Sequence, residues 1–221
     1  MGAGRFGRKA AAALRRRYPE SDITVIDHSP EACNIMADDA MTTVCMDGAS
    51  FLFQQLNDSI CPDWIIPVIP VHLAFEWIRL ELSSTCWVET VPIPDNLGKM
   101  LPNVFYGRPG EIFTSHASFI CPDNCSEPQD ICSFTRMPRK QPLYQTIESI
   151  NCDGFIHAVL QSQQLAPGIG GFSPQSLKKI FFTIQQTSAH ILLSTACKCH
   201  GVVQAFKKTA LPGNPDLVQN G

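Results

Sequence analysis

The stretch GAGRFG at residues 2–7 decides the fold that we expect for the first part of the chain. It has the GxGxxG spacing of a dinucleotide-binding turn. In such a turn Gly2 allows the tight bend, Gly4 lets the backbone approach a pyrophosphate, and Gly7 lets the following helix pack close to a sheet. The stretch therefore predicts a nucleotide site at the very start of the chain.

A helix is predicted directly after the first glycines, over residues 5–18. Phe6, Ala10, Ala13 and Leu14 recur at helical spacing and share one face. The N-terminus of this helix would offer free N–H groups and a positive dipole end to the phosphates.

An acidic residue completes the dinucleotide pattern. DITVID at residues 22–27 has the composition of a buried strand, and it ends at Asp27, twenty residues beyond Gly7. A carboxylate there accepts hydrogen bonds from a ribose and disfavours a 2′-phosphate, which favours NAD(H) over NADP(H).

The strand that should precede the first glycine is represented by Met1 alone. We expect either that the chain starts upstream of this residue or that it has been shortened there. Without that strand the parallel sheet would lack its central member, and nucleotide binding would be weaker.

Strands and helices continue to alternate after Asp27. TTVCMD (42–47) and DWIIPVIP (63–70) are predicted strands, and residues 48–57 and 72–80 are predicted helices. Alternation of this kind predicts an α/β fold with a parallel, Rossmann-like sheet. Pro67 lacks an N–H, so we expect it to mark where the fourth strand leaves the sheet.

The segments GAGRFGR, VIDHSPE, MDGAS and DWIIPVIP resemble the NAD-binding TrkA-N (RCK-type) domain of potassium-transport regulators. The resemblance covers about residues 2–80 and implies NAD(H) as the cofactor, a nucleotide-sensing role, and Asp47 close to the adenosine. The expected nucleotide contacts are Gly2, Gly4, Arg5, Phe6, Gly7, Asp27, His28 and Asp47.

The second half predicts a hairpin over residues 103–120, and then a second βαβα segment. In this segment strands are expected at 155–161 and 189–196, and a helix follows the N-cap Ser173. GVVQAFKK (201–208) is predicted to be a second helix. We expect three parts: a dinucleotide-binding unit (1–85), a hairpin and Cys-rich connector (86–150), and a C-terminal α/β segment (151–221).

Five of the ten cysteines lie in two short segments, whereas the others are predicted to be ordinary core or loop residues. Cys121, Cys125 and Cys132 share one loop. Cys197 and Cys199 are predicted to lie between a strand and a helix N-terminus, which lowers the pKa of a thiol and is where α/β sheets place functional groups.

Three interpretations of these five cysteines stay open. They could ligate a [4Fe–4S] cluster, with one thiol to spare. They could hold a structural zinc ion, although their spacing departs from the usual pairs. They could also be free thiols without a ligand.

Composition narrows the classes of function. A formal net charge of −3 argues against a nucleic-acid binder, which would be strongly basic. The apolar stretch 64–80 is interrupted by prolines and charges, so no membrane insertion is expected. The N-terminus does not resemble a secretory signal, which predicts a cytoplasmic protein whose cysteines stay reduced.

The leading hypothesis is an NAD(H)-binding iron–sulfur oxidoreductase of unknown substrate. The alternative is a nucleotide-sensing module with zinc or redox-sensing thiols, acting on a protein partner or as a homo-oligomer. A third hypothesis is a thiol-based transferase or hydrolase with Cys197 or Cys199 as the nucleophile.

Overall fold

The structure, a computed structural model, describes residues 1–38, 41–56, 61–127, 130–138 and 141–212. Its helices are α1 (Arg5–Arg17), α2 (Pro30–Asp38), α3 (Gly48–Gln55), α4 (Leu73–Leu82), α5 (Asp95–Met100), α6 (Leu143–Ser149) and α7 (Pro174–Gln185). Its strands are β1 (Thr24–Asp27), β2 (Thr42–Cys45), β3 (Cys86–Thr90), β4 (Phe105–Tyr106), β5 (Glu111–Ser115), β6 (Phe155–Gln161), β7 (Gln163–Ala166), β8 (Ile169–Gly171), β9 (His190–Ala196) and β10 (His200–Ala210).

The N-terminal sheet is parallel, as predicted, and Met1 and Gly2 occupy its centre. β1 pairs with β2, and Gly2 N–H donates to the carbonyl of Ile26 on the free edge of β1 (2.7 Å). On the other side, the Met1 ammonium donates to Ile66 O (3.0 Å), and Val68 N–H donates to Met1 O (2.9 Å). The central position that we expected to be missing is therefore filled by two residues.

Among the residues that the structure describes, the segment predicted as a fourth strand, residues 63–70, pairs only with Met1 and, through one antiparallel bridge at Ile65, with Phe172. Pro67 lies between the two residues that bond to Met1. The bonds to Met1 use the carbonyl of residue 66 and the N–H of residue 68. The missing N–H of Pro67 thus costs no bond to Met1, while it prevents a regular ladder on the opposite side.

The larger sheet has six strands, with β10 at its centre, while β7 and β8 form a separate antiparallel pair. The order is β4-β5-β10-β9-β6, and β3 pairs with the second half of β10 on the edge that β5 also uses. β6 and β9 are parallel, while β10 is antiparallel to each of its partners. The predicted strands 155–161 and 189–196 are confirmed as β6 and β9.

The prediction of a helix over GVVQAFKK is wrong, because these residues belong to β10. Val203 and Ala205 pack against one helical layer, and Phe206 packs against the other. A strand buried on both faces is apolar without alternation, so its sequence resembles a buried helix. The second segment therefore ends as β9–β10, and not as a βαβα unit.

Helices cover both faces of the large sheet. One core contains α3, α4 and α7 with β6 and β9, and the second core contains α5 and α6 on the opposite face. Strands from both sides of residue 150 pair in this sheet, so the proposed boundary there stays a prediction about independent folding. In the part of the chain that the structure describes, none of the helices has the length and hydropathy needed to cross a membrane.

Candidate functional site

The three glycines of the first turn have three different environments. Gly2 has φ +99°, and a Cβ there would lie 2.7 Å from the carbonyl oxygen of Val68. A Cβ on Gly7 would collide with the carbonyl oxygen of Gly2, whereas a Cβ on Gly4 would meet open space. Gly2 and Gly7 are thus required by the fold, and Gly4 leaves room above the N-terminus of α1.

Asp27 ties this turn to the end of β1. Its carboxylate accepts hydrogen bonds from Ala3 N–H (2.7 Å) and Ser29 N–H (2.9 Å). Burial raises the pKa of Asp27, but the two N–H donors and the adjacent His28 outweigh this effect and lower it below its usual value. The ionised carboxylate keeps free lone pairs for ribose hydroxyls.

Asp47 is the N-cap of α3, and its carboxylate accepts hydrogen bonds from the N–H and the hydroxyl of Ser50, both at 2.8 Å. The Ser50 N–H is the main reason that the pKa of Asp47 is lowered. This capping role accounts for an aspartate at the start of the helix, and its contact with adenosine stays a prediction.

Phe6 lies outside the core face on which we expected it. Its side chain is 50% exposed, and the Arg5 guanidinium lies 4.6 Å from the centre of its ring. The buried face of α1 instead contains Gly7, Ala10, Ala11 and Leu14. Phe6 is therefore available to a ligand.

A cleft of about 1220 Å³ adjoins the glycine turn. Phe6 and Lys9 of α1 and residues 67–69 and 71–74 line one side of it. Its lining also contains all five cysteines predicted as metal ligands, which are Cys121, Cys125, Cys132, Cys197 and Cys199. The two cysteine segments, far apart in the sequence, thus open onto one space beside the predicted nucleotide site.

Glu127 joins the two cysteine segments, a role that the sequence analysis missed. Its carboxylate accepts a hydrogen bond from Lys198 N–H (2.9 Å) and also contacts the thiol of Cys197. The sequence signal was an acidic residue within the loop that holds Cys121 and Cys125, but its partner lies 71 positions away.

Cys197 and Cys199 lie in the tight turn between β9 and β10, and not at a helix N-terminus as predicted. Cys199 N–H and His200 N–H both point at the sulfur of Cys197, at 3.4 Å. Burial and the charge of Glu127 nevertheless raise the pKa of Cys197 to about 12. The expected lowering of its pKa is wrong, and the thiol is neutral at pH 7, which argues against Cys197 as a nucleophile.

Hydrogen bonds to a backbone carbonyl and an ion pair hold the cysteine loop in place. The carbonyl oxygen of Cys125 accepts hydrogen bonds from Gly168 N–H (2.8 Å) and the Gln164 side chain (2.7 Å), and Lys9 pairs with Asp123 at 3.3 Å. Within the described ranges, no three His, Cys, Asp or Glu side chains are arranged to hold a metal ion. The five thiols line one cleft, but the described residues do not assemble them into a ligand set.

His72 is the N-cap residue of α4 and lines the cleft. Its side chain is buried, and its Nε2 lies 2.8 Å from the hydroxyl of Thr195. Burial lowers the pKa of His72 to about 3, so its ring is neutral at pH 7.

Known families match both halves of the chain. Residues 1–58 match the TrkA-N domain, and residues 74–209 match a family described as "Uncharacterized protein, C-terminal domain". The TrkA-N resemblance is thereby confirmed, and such domains bind dinucleotides. No solved structure matches the chain.

One relative covers almost the whole length. An "Uncharacterized protein" of Archaeoglobus fulgidus is 31% identical over an alignment of 219 residues, gaps included, that covers 94% of this chain and 98% of the relative. The chain therefore belongs to the family of this archaeal protein, and within the chain the TrkA-N match precedes the match to the C-terminal domain.

Proposed function

We propose that the chain is an NAD(H)-binding regulatory module, and that the nucleotide lies between the glycine turn and the cysteine-lined cleft. One observation carries this proposal: Phe6 and Lys9, on the helix that follows the glycine turn, line the same cleft as the five cysteines. A ligand bound at the N-terminus of α1 would therefore extend directly into that cleft.

The order of the parallel segments supports this orientation. From one edge it is β2, β1, Met1–Gly2 and residues 66–68, so the chain connections reverse direction next to Met1. Open α/β sheets bind dinucleotides across the crevice at such a switch point. The adenosine half would lie over β1 and β2, and the other half over residues 68–72.

The residues of the turn fit this nucleotide. The uncapped N–H groups of α1 and the open space over Gly4 suit a pyrophosphate. Asp27 would accept the ribose hydroxyls, with His28 and Asp47 on the adenosine side. Gly2 and Gly7 would hold the turn, and Arg5 and Phe6 would contact the ligand from the first turn of the helix.

A protein partner or a second copy of the chain would contact the walls of the cleft and would thereby detect whether the nucleotide is bound. NAD(H) would supply hydride chemistry if a redox step takes place there. The neutral ring of His72 and the hydroxyl of Thr195 would then provide the polar contacts beneath it. The cytoplasm is the proposed location of this module, because a reducing compartment would keep its ten cysteines as thiols.

The substitution Gly4→Ala tests the nucleotide site without disturbing the fold. Gly4 has φ −66°, which alanine adopts readily, and its Cβ would meet no protein atom. We expect isothermal titration calorimetry to show NADH binding weakened about tenfold or more, because the methyl group occupies the approach of the pyrophosphate. The urea midpoint should not change. Equal affinities in the variant and the wild type would contradict the proposal.

A cysteine-ligated centre is the second candidate, and the two N–H groups directed at the Cys197 sulfur favour it. Donors of this kind stabilise a thiolate, and a cation between Cys197 and Glu127 would relieve the repulsion between thiolate and carboxylate. Cys121, Cys125 and Cys132 would provide three ligands, and Cys197 or Cys199 the fourth. A [4Fe–4S] cluster would make the chain an oxidoreductase, whereas zinc would be structural.

Metal analysis of anaerobically purified protein, with its ultraviolet–visible spectrum, separates these possibilities. Iron with thiolate-to-iron absorbance would support the cluster. Zinc without colour would support the structural ion. Protein that holds neither metal and still binds NADH would support a regulatory module whose cysteines are free thiols. The Cys61→Ser variant is the control, because Cys61 is absent from the lining of the cleft and should leave the metal content unchanged.

A further inference from the structure

We propose that Cys33 and Cys45 form an oxidisable dithiol, which a hydroperoxide converts to a disulfide. Neither cysteine belongs to the cleft, and their spacing in the sequence indicates two isolated residues. The fold brings them together, because α2 carries Cys33 back across the end of β2, where Cys45 lies opposite Asp27 in the parallel pair.

Backbone contacts fix both sulfurs at the end of β1. The sulfur of Cys33 lies 3.3 Å from the carbonyl oxygen of Asp27 and 3.7 Å from that of Val44. The sulfur of Cys45 lies 3.7 Å from the carbonyl oxygen of His28. Cys45 is close enough to Cys33 to raise the pKa of its thiol. Because the carbonyl groups of Asp27 and His28 are consecutive in the chain, the two sulfurs are neighbours at the end of β1.

The two thiols differ in exposure, and this difference determines which of them reacts first with the hydroperoxide. Cys45 is exposed, so a hydroperoxide reaches it directly, whereas Cys33 is buried. Burial raises the pKa of Cys33, and the adjacent Cys45 raises it further. Cys33 therefore stays a thiol until its neighbour is oxidised, as suits the residue that resolves the intermediate.

With hydrogen peroxide as the oxidant, the reaction has two steps. The Cys45 thiol releases its proton, its sulfur attacks one peroxide oxygen and the O–O bond breaks. Cys45 becomes a sulfenic acid, and the other oxygen leaves as hydroxide, which takes up the released proton and becomes water. The Cys33 sulfur then attacks the Cys45 sulfur, the S–O bond breaks, and the oxygen leaves as water with the Cys33 proton. Two thiols and one peroxide give one disulfide and two waters.

The test uses the reduced full chain. Protein treated with one equivalent of hydrogen peroxide is alkylated, digested without reductant and mapped by mass spectrometry. We expect the peptide pair linked through Cys33 and Cys45 to be the main oxidised product. A chain in which both residues remain fully alkylatable while other cysteines oxidise would overturn the proposal, and this outcome needs no variant.

Variants then separate the two roles. In Cys33→Ser the sulfenic acid should accumulate at Cys45 and react with dimedone, because no thiol resolves it. In Cys45→Ser the buried Cys33 should remain reduced. Cys61→Ser, which removes a different exposed thiol, is the matched control and should form the linked pair at the wild-type rate. Oxidation of Cys33 in the Cys45→Ser variant would contradict the order of reaction.

Discussion

Asp27, at the end of β1, and Cys197, directly after β9, each accept hydrogen bonds from two backbone N–H groups, and their pKa values change in opposite directions. Asp27 receives the N–H groups of Ala3 and Ser29, and its pKa is lowered. Cys197 receives those of Cys199 and His200, and its pKa is raised to about 12.

The difference lies in the surroundings and not in the donors. Asp27 lies at the end of a strand beside His28, whereas Cys197 is covered by the cysteine loop and faces the carboxylate of Glu127. N–H donors favour an anion only where burial and a second negative charge do not outweigh them. The donors at the end of β1 therefore hold an ionised carboxylate, whereas the thiol of Cys197 stays protonated at pH 7.

The largest change in stability that we expect comes from a substitution at Gly7, which the fold requires, and not from one at Gly4, which it does not. Gly7→Val would push a side chain into the carbonyl group of Gly2, which lies in the centre of the parallel sheet and has no room to move. We expect a loss of about 3 kcal/mol in the free energy of unfolding, measured with urea. Gly4→Ala serves as the control. A Gly7→Val chain as stable as the wild type would show that the turn is not fixed by this contact.

His72 offers a third environment, in which burial alone acts on a titratable group. Its pKa is about 3 in the folded chain and about 6.5 when unfolded, so between these values the unfolded chain binds one more proton. Stability should therefore be complete above pH 6.5 and decrease by about 1.4 kcal/mol per pH unit below it.

Urea unfolding of the wild type and of His72→Gln between pH 7 and 5 measures this contribution. The variant should lack this part of the pH dependence, whatever its stability at pH 7. Identical slopes in the two proteins would exclude a buried neutral histidine.

Removal of the charge of Glu127 tests the comparison between the two turns directly. In Glu127→Gln the pKa of Cys197 should decrease, since one of its two main causes is gone and both N–H donors remain. We expect alkylation of Cys197 by iodoacetamide at pH 8 to become about tenfold faster, as followed by mass spectrometry. Glu148→Gln, an exposed residue of α6, is the control. An unchanged rate would assign the raised pKa to burial alone.

The smallest effect concerns the ion pair between Lys9 and Asp123, which joins α1 to the cysteine loop. Both side chains are largely exposed. Lys9→Met should therefore change the free energy of unfolding by no more than about 0.5 kcal/mol. Gln164→Leu, which removes a hydrogen bond to the Cys125 carbonyl, should have the larger effect of about 1 kcal/mol in the same urea titration. If Lys9→Met lowered the free energy of unfolding more than Gln164→Leu, the ion pair would be the main contact that holds the cysteine loop.

The sequence alone predicted the glycine turn and its acidic partner because their signals are local. Glycine spacing, the helix after it and the strand that ends at Asp27 all lie within 27 residues. The environment of Cys197 could not be predicted, since Glu127 comes from a distant loop. β10 was mistaken for a helix because its burial on both faces depends on strands elsewhere in the chain. The contact between Cys33 and Cys45 depends on how α2 packs on β2, which residue spacing does not reveal.

The central position of β10 also determines the order in which the large sheet is completed during synthesis. β3 and β5 are made early, but both pair with a strand that follows them by about a hundred residues. Until β10 leaves the ribosome their edges lack that partner, which is the condition that promotes misfolding and chaperone binding. The parallel sheet around Met1, which needs only residues up to 68, is free to form long before.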